Sequence, residues 1–156
     1  MILTFKKSIF APSSQHRSLD EIIDDVKTGA NTKDLIGKIR SESNKDRKSE
    51  IKKELPAFIP DVVFHDKKHS LDKSRDFSST GIIQFDIDDY YDEKKSKKII
   101  RYINKEESTI YSFVSPSGGI KFGILTDFRC KDDTIKEKHK IAYQIVKEEL
   151  DHLFRK

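Results

Sequence analysis

Tryptophan is absent from these 156 residues, and cysteine and methionine occur once each. The lone thiol, Cys130, excludes an internal disulfide, and a zinc site built on several cysteines is excluded by number alone. Glycine and proline are few, at 6 and 4, and neither an internal repeat nor a low-complexity segment beyond a lysine bias is evident. No apolar run approaches the roughly 20 residues that cross a bilayer. The opening MILTFKKSIF lacks the apolar stretch of a secretory signal. The expectation is a soluble, cytoplasmic protein without a membrane partner. Charge of one sign is in small excess: 31 Lys and Arg against 27 Asp and Glu leave +4, which permits a polyanion partner without requiring one.

What is present is a modest core, with hydrophobic residues at 35% and charged residues at 37%. The length suits one domain over 1–156, with a helical part over 1–56 and an α/β core over 57–156. Ile2 to Phe5 reads as an edge strand. Ser18 and Glu21 have the spacing of a capping box, Ile22, Ile23 and Val26 form the buried stripe behind it, and Gly29 suits the stop. Thr32 is placed to cap a second helix carrying Leu35, Ile36 and Ile39. From Lys38 to Lys53 the chain is strongly basic and reads as a solvated helix or linker that Pro56 ends. Val62 to Phe64 reads as a short strand.

The second half is more regular. Ile82 to Asp88 predicts a central strand, Asp92 to Asn104 a helix burying Ile99, Ile100 and Ile103, and Thr109 to Thr126 a hairpin turning at SPSGG. The last segment, to Phe154, places Ile135, His139, Ala142, Val146, Leu150 and Leu153 on one helical face. The fold class is therefore α+β, an RRM-like split βαβ core of strand, helix, hairpin and helix with an N-terminal helical extension. The last strand of that pattern is lacking.

Two features carry chemistry. In FDIDD, strand periodicity turns Asp86 and Asp88 to one face while Phe85 and Ile87 bury on the other. Paired carboxylates are hard oxygen donors that suit Mg²⁺ or Mn²⁺; a strand end that merely reaches water is the alternative. In SPSGGIK, the glycine turn lets backbone amides approach an anion, and Lys121 supplies a cation for phosphate; an ordinary hairpin turn is the alternative. As neighbours in one sheet, the two features together can hold a metal-bound triphosphate. His65 and His69 lie four apart in a segment that reads as a loop, His139 reads as a packed histidine, and Cys130 lacks an activating partner. The basic stretch from Lys38 to Lys53 can lie along nucleic acid, although it contains no ring on which a base could stack.

The order SLDEIIDDVKTG, DLIGKIR, IKKELPAFIPDVVF, GIIQFDID, SPSGGIKFGI and a helix near KHKIAYQ resembles the VirE N-terminal domain family. That family is similar to the catalytic core of the archaeo-eukaryotic primase superfamily, common in phage and mobile-element replication proteins. The resemblance implies that Asp86 and Asp88 hold catalytic Mg²⁺ or Mn²⁺. It implies that Ser115, Ser117, Gly118 and Lys121 contact the phosphates of a nucleoside triphosphate, with lysine where the superfamily usually has histidine. Lys52, with Lys53 beside it, matches a basic position of the family's LPA segment that meets template or nucleotide. The superfamily's third carboxylate lies on a strand after the long helix, and the chain ends first; Asp127 and Asp132 come too early to replace it. The implied function is a DNA primase or primase-polymerase module catalysing metal-dependent nucleotidyl transfer on single-stranded DNA; a helicase or C-terminal replication domain is a candidate partner, and the missing carboxylate leaves open whether the module acts alone. The rival is a noncatalytic nucleic-acid-binding or regulatory domain that keeps the fold.

Overall fold

The computed structural model describes residues 1–9, 11, 13–29, 32–66, 76–88, 92–129 and 134–154. The first strand, β1 (Ile2–Lys6), pairs antiparallel with β2 (Gln15–Ser18) on one side and with β3 (Ala57–Ile59) on the other. It is thus the middle of a sheet ordered β2-β1-β3, not an edge strand. Its flanking strands are four and three residues long, QHRS and AFI, too short to show a period of two. The inner position explains why Leu3 and Thr4 are fully buried.

Ser18 closes β2 and caps α1 (Leu19–Thr28). The Glu21 amide donates to Ser18 Oγ at 3.2 Å and the Ser18 amide donates to Glu21 Oε2 at 2.8 Å, so both halves of the capping box form and two orphan helix amides are satisfied. Gly29 ends the helix at φ 63°, a left-handed conformation that a side chain resists. Two further helices follow, α2 (Lys33–Ser41), which buries Ile39, and α3 (Lys45–Lys53), which buries nothing. The solvated basic helix expected from composition is therefore α3.

A second sheet pairs β4 (Val62–Phe64) with β5 (Phe77–Ser79). It is tied to the first sheet through Thr4, whose buried hydroxyl accepts the Phe64 amide at 3.0 Å. The third sheet combines β6 (Ile82–Ile87), β7 (Thr109–Val114) and β8 (Ile120–Leu125) in the order β6-β8-β7. The strand expected to be central, β6, is an outer strand, and β8 occupies the middle. Between β6 and β7 runs α4 (Glu93–Ile103), and after β8 comes α5 (Ile135–Phe154). Chain order and strand order together are those of a split βαβ unit. Among the described residues no strand follows α5.

Alternation along β6 and β8 divides the third sheet into two faces. Ile83, Phe85, Ile120, Phe122 and Ile124 join Ile103 of α4 and Val146 of α5 in one core. On the opposite face Ile82 and Tyr111 pack with Leu3, Phe5, Leu19 and Ile22, so the N-terminal sheet and α1 cover that side. Ile103 is 1% exposed, and Ile103→Ala should lower unfolding stability by about 2–5 kcal/mol in guanidinium titration. Ser18→Ala should cost about 1 kcal/mol by the same measurement.

Candidate functional site

The register of the third sheet sets its residues in cross-strand rows. Gln84 of β6 lies opposite Gly123 of β8, which lies opposite Tyr111 of β7; the next row holds Asp86, Lys121 and Phe113. Gly123 matters because a Cβ there would clash with the ring of Tyr111. Without one, the tyrosine ring lies across β8 and its hydroxyl donates to Gln84 Oε1 at 2.9 Å. Burial pushes the Tyr111 phenol well above its ordinary value, and the Asp61 carboxylate adds to the effect.

In the second row, Lys121 Nζ donates to Asp86 Oδ2 and forms an ion pair with it. The two side chains are 30% and 38% exposed. Water and salt screen a pair that open, so its stabilising effect is small. Beyond the strand end, Asp88 is exposed, continuing the alternation of buried Phe85, exposed Asp86 and half-buried Ile87, and makes no ion pair among the described residues. Asp89, the last residue of FDIDD, lies outside the described residues.

The hairpin turn packs against this strand end. A Cβ on Gly119 would meet the Ile87 carbonyl oxygen at 2.8 Å and the Asp88 Cα at 3.6 Å, so glycine is what allows the turn to close on Asp88. Gly118 has φ 98°, again a glycine conformation. Its amide donates to the Ser115 carbonyl at 2.9 Å, and the Ser115 amide donates to the Gly119 carbonyl at 2.7 Å. Those two amides are bonded within the turn itself. The amides of Ser117 and Gly119 bond to no described residue. Ser115 is buried, with its hydroxyl 3.3 Å from that of Ser117.

The fold thus brings together Asp86, Asp88, Lys121 and the turn from Ser115 to Gly119. Lys52 and Lys53 stand apart from them in chain position, at the end of α3, where Lys53 pairs with Glu50 at 2.5 Å. His65 Nε2 contacts Ser78 Oγ at 3.0 Å; His69, Cys130 and Asp132 lie outside the described residues. On α5, His139 is half-buried, 3.6 Å from Asp61 and edge-on to Phe128. Sequence reasoning missed Tyr111, Gln84 and Phe113 on the site's own face. The alternation of TIYSFV signals a strand but does not reveal which face looks toward Asp86.

With this geometry in view, the family model described as BT4734-like, N-terminal domain, matches residues 50–156. The chain belongs to that family. The expected membership of the VirE N-terminal domain family is corrected accordingly. The match begins at residue 50, so SLDEIIDDVKTG and DLIGKIR, which carried part of that resemblance, fall outside it. Motifs as short as DID and SPSG do not by themselves identify a family. No curated protein and no solved structure matches the chain. No helix among the described residues is long and apolar enough to cross a membrane.

Two outcomes follow from this face. Gly123→Ala should destabilise by about 1–3 kcal/mol in urea titration, because the ring of Tyr111 must move. Folding favours the neutral phenol of Tyr111, so its contribution to stability is complete below the ordinary tyrosine pKa of about 10 and is lost as pH rises through the higher folded value. In an alkaline absorbance titration Tyr111 should ionise after the ordinary tyrosines, and Tyr111→Phe should delete that late step.

Proposed function

We propose that Asp86, Asp88, Lys121 and the Ser115–Gly119 turn form a nucleotide-phosphate site, and that the domain is a primase-polymerase-like module for metal-dependent nucleotidyl transfer. The observation that carries this reading is the cross-strand pairing of Asp86 with Lys121 beside a glycine turn seated on Asp88. An acid and a base at adjacent positions serve opposite ligands, a cation and a phosphate. Lys121 neutralises Asp86 while no phosphate is present, and a phosphate anion competes for the same ammonium group.

Asp86 and Asp88 supply oxygen donors of the type that Mg²⁺ or Mn²⁺ takes. Among the described residues no three acids, histidines or cysteines converge, so phosphate oxygens and water would complete the shell, as is usual for Mg²⁺. When bound, such a metal neutralises charge developing on the transferred phosphoryl group. The reaction class is attack of a 3′-hydroxyl on the α-phosphate with loss of pyrophosphate. The chain's own part is to fix the phosphates at Lys121 beside the glycine turn, which is positioning in the sense that lowers barriers.

A second reading, noncatalytic nucleotide or nucleic-acid binding, is favoured by one specific observation: Lys121 already satisfies Asp86, and the described residues provide no third acid beside it. The two readings separate cleanly by experiment. Calorimetry with Mn²⁺ and a nonhydrolysable nucleoside triphosphate should detect binding, and Lys121→Ala should weaken it about tenfold, the weight of one charge-assisted hydrogen bond. Asp86→Asn combined with Asp88→Asn should abolish incorporation on a single-stranded template. Nucleotide binding without incorporation, by the chain or by a longer polypeptide that adds a strand carrying a further acid, selects the second reading, and absence of nucleotide binding removes the phosphate site at Asp86 and Lys121 from both.

A further inference from the structure

A groove runs along the outer edge of β7, on the same face of the sheet as Asp86 and Lys121. It consists of a cleft of about 310 Å³ and another of about 170 Å³. Both are lined by Ile22 and Val26 of α1, Phe58 of β3 and Phe113 of β7, so the two clefts adjoin. Its floor is aromatic: Phe58 meets Tyr111 edge-on at 5.6 Å, and Phe113 lies 6.4 Å from Phe58 and 6.0 Å from Tyr111. Lys27 lines the larger cleft and Arg40 the smaller. Both are exposed and make no ion pair among the described residues. The one carboxylate in the lining, Asp25, is held by Arg17 at 2.5 Å. Pro116 of the hairpin turn lines the same cleft as Arg40, and Phe113 stands next to Lys121 in the cross-strand row.

We propose that this groove binds single-stranded nucleic acid, with bases against Phe58 and Phe113, phosphates on Lys27 and Arg40, and the strand leading past Pro116 toward Lys121. Rings and cations in one channel are the two elements that sequence-tolerant single-strand binding requires. Composition places them in different segments: α3 is basic without rings, whereas the rings here come from β3 and β7 and the cations from α1 and α2. The direction of the strand rests on the nucleotide reading of Asp86 and Lys121; the groove itself does not. A second copy of the chain pairing along β7, which has one strand partner among the described residues, is the other occupant that the test distinguishes.

The test is fluorescence polarisation of a labelled short oligothymidylate with the full chain, without metal or triphosphate, across a salt series. Binding should weaken with salt, and Arg40→Gln and Lys27→Gln should each reduce the slope of log K against log salt by about 0.7. Both residues are exposed, so neither change threatens folding. Phe113→Leu, which keeps apolar volume but removes the ring, should weaken binding roughly 5- to 100-fold with the slope unchanged. Three results overturn the proposal. One is no binding by the parent chain. Another is binding indifferent to all three changes but lost on Lys45→Gln with Lys48→Gln. The third is a dimer in sedimentation that Phe113→Leu dissociates. The assay contains neither metal nor triphosphate, so its failure leaves the Asp86 and Lys121 reading to its own calorimetry, and a failure there leaves the groove standing.

Discussion

The register of β8 is the constraint on which the rest of the structure depends. Being the middle strand, it hydrogen-bonds on both sides, and its alternation sends Ile120, Phe122 and Ile124 into the helix-covered core. Lys121 and Gly123 are thereby turned to the other face. A slip of one residue against β6 would exchange the two sets, exposing three large apolar side chains and burying an ammonium group. The apolar core thus holds the polar face in place, and Asp86 meets Lys121 because Phe85 stacks on Phe122 behind them, with ring centroids 5.2 Å apart.

Glycine does specific work at two places on that face. At Gly123 the missing Cβ makes room for the ring of Tyr111, which bridges the sheet to Gln84. At Gly119 it lets the turn close against the backbone at Ile87 and Asp88. The first fixes the aromatic floor and the second fixes the distance between turn and acidic strand end. Neither adds a functional group; each allows groups on other strands to come close.

The family match, residues 50–156, contains β3 through α5 and so contains every residue of the candidate site around Asp86. The groove is composite. Phe58, Tyr111 and Phe113 fall within the matched span, while Lys27, Arg40 and the apolar wall from α1 lie before it. The β1–β3 pairing holds that wall in place, since it anchors the N-terminal strand to the first strand of the matched region.

How much was legible in the sequence follows from the range of the interactions. The capping box at Ser18, the stop at Gly29, the hairpin at SPSGG and helices α1, α2, α4 and α5 were readable, because helical periodicity and turn chemistry act over a few neighbouring residues; α3, which buries nothing, was left between helix and linker. So were Asp86, Asp88 and Lys121 as chemical candidates, since strand alternation alone turns them outward. Strands β2, β3 and β5 were not readable, being three or four residues long and stabilised by partners distant in the chain. For the same reason β1 passed for an edge and β6 for a centre. Sequence by itself determined an α+β chain with an acidic strand and a basic glycine turn. Only tertiary structure decided that Lys121 lies directly across from Asp86, and that rings from β3 and β7 share a channel with cations from α1 and α2, because strand order and register are set by burial across the whole molecule.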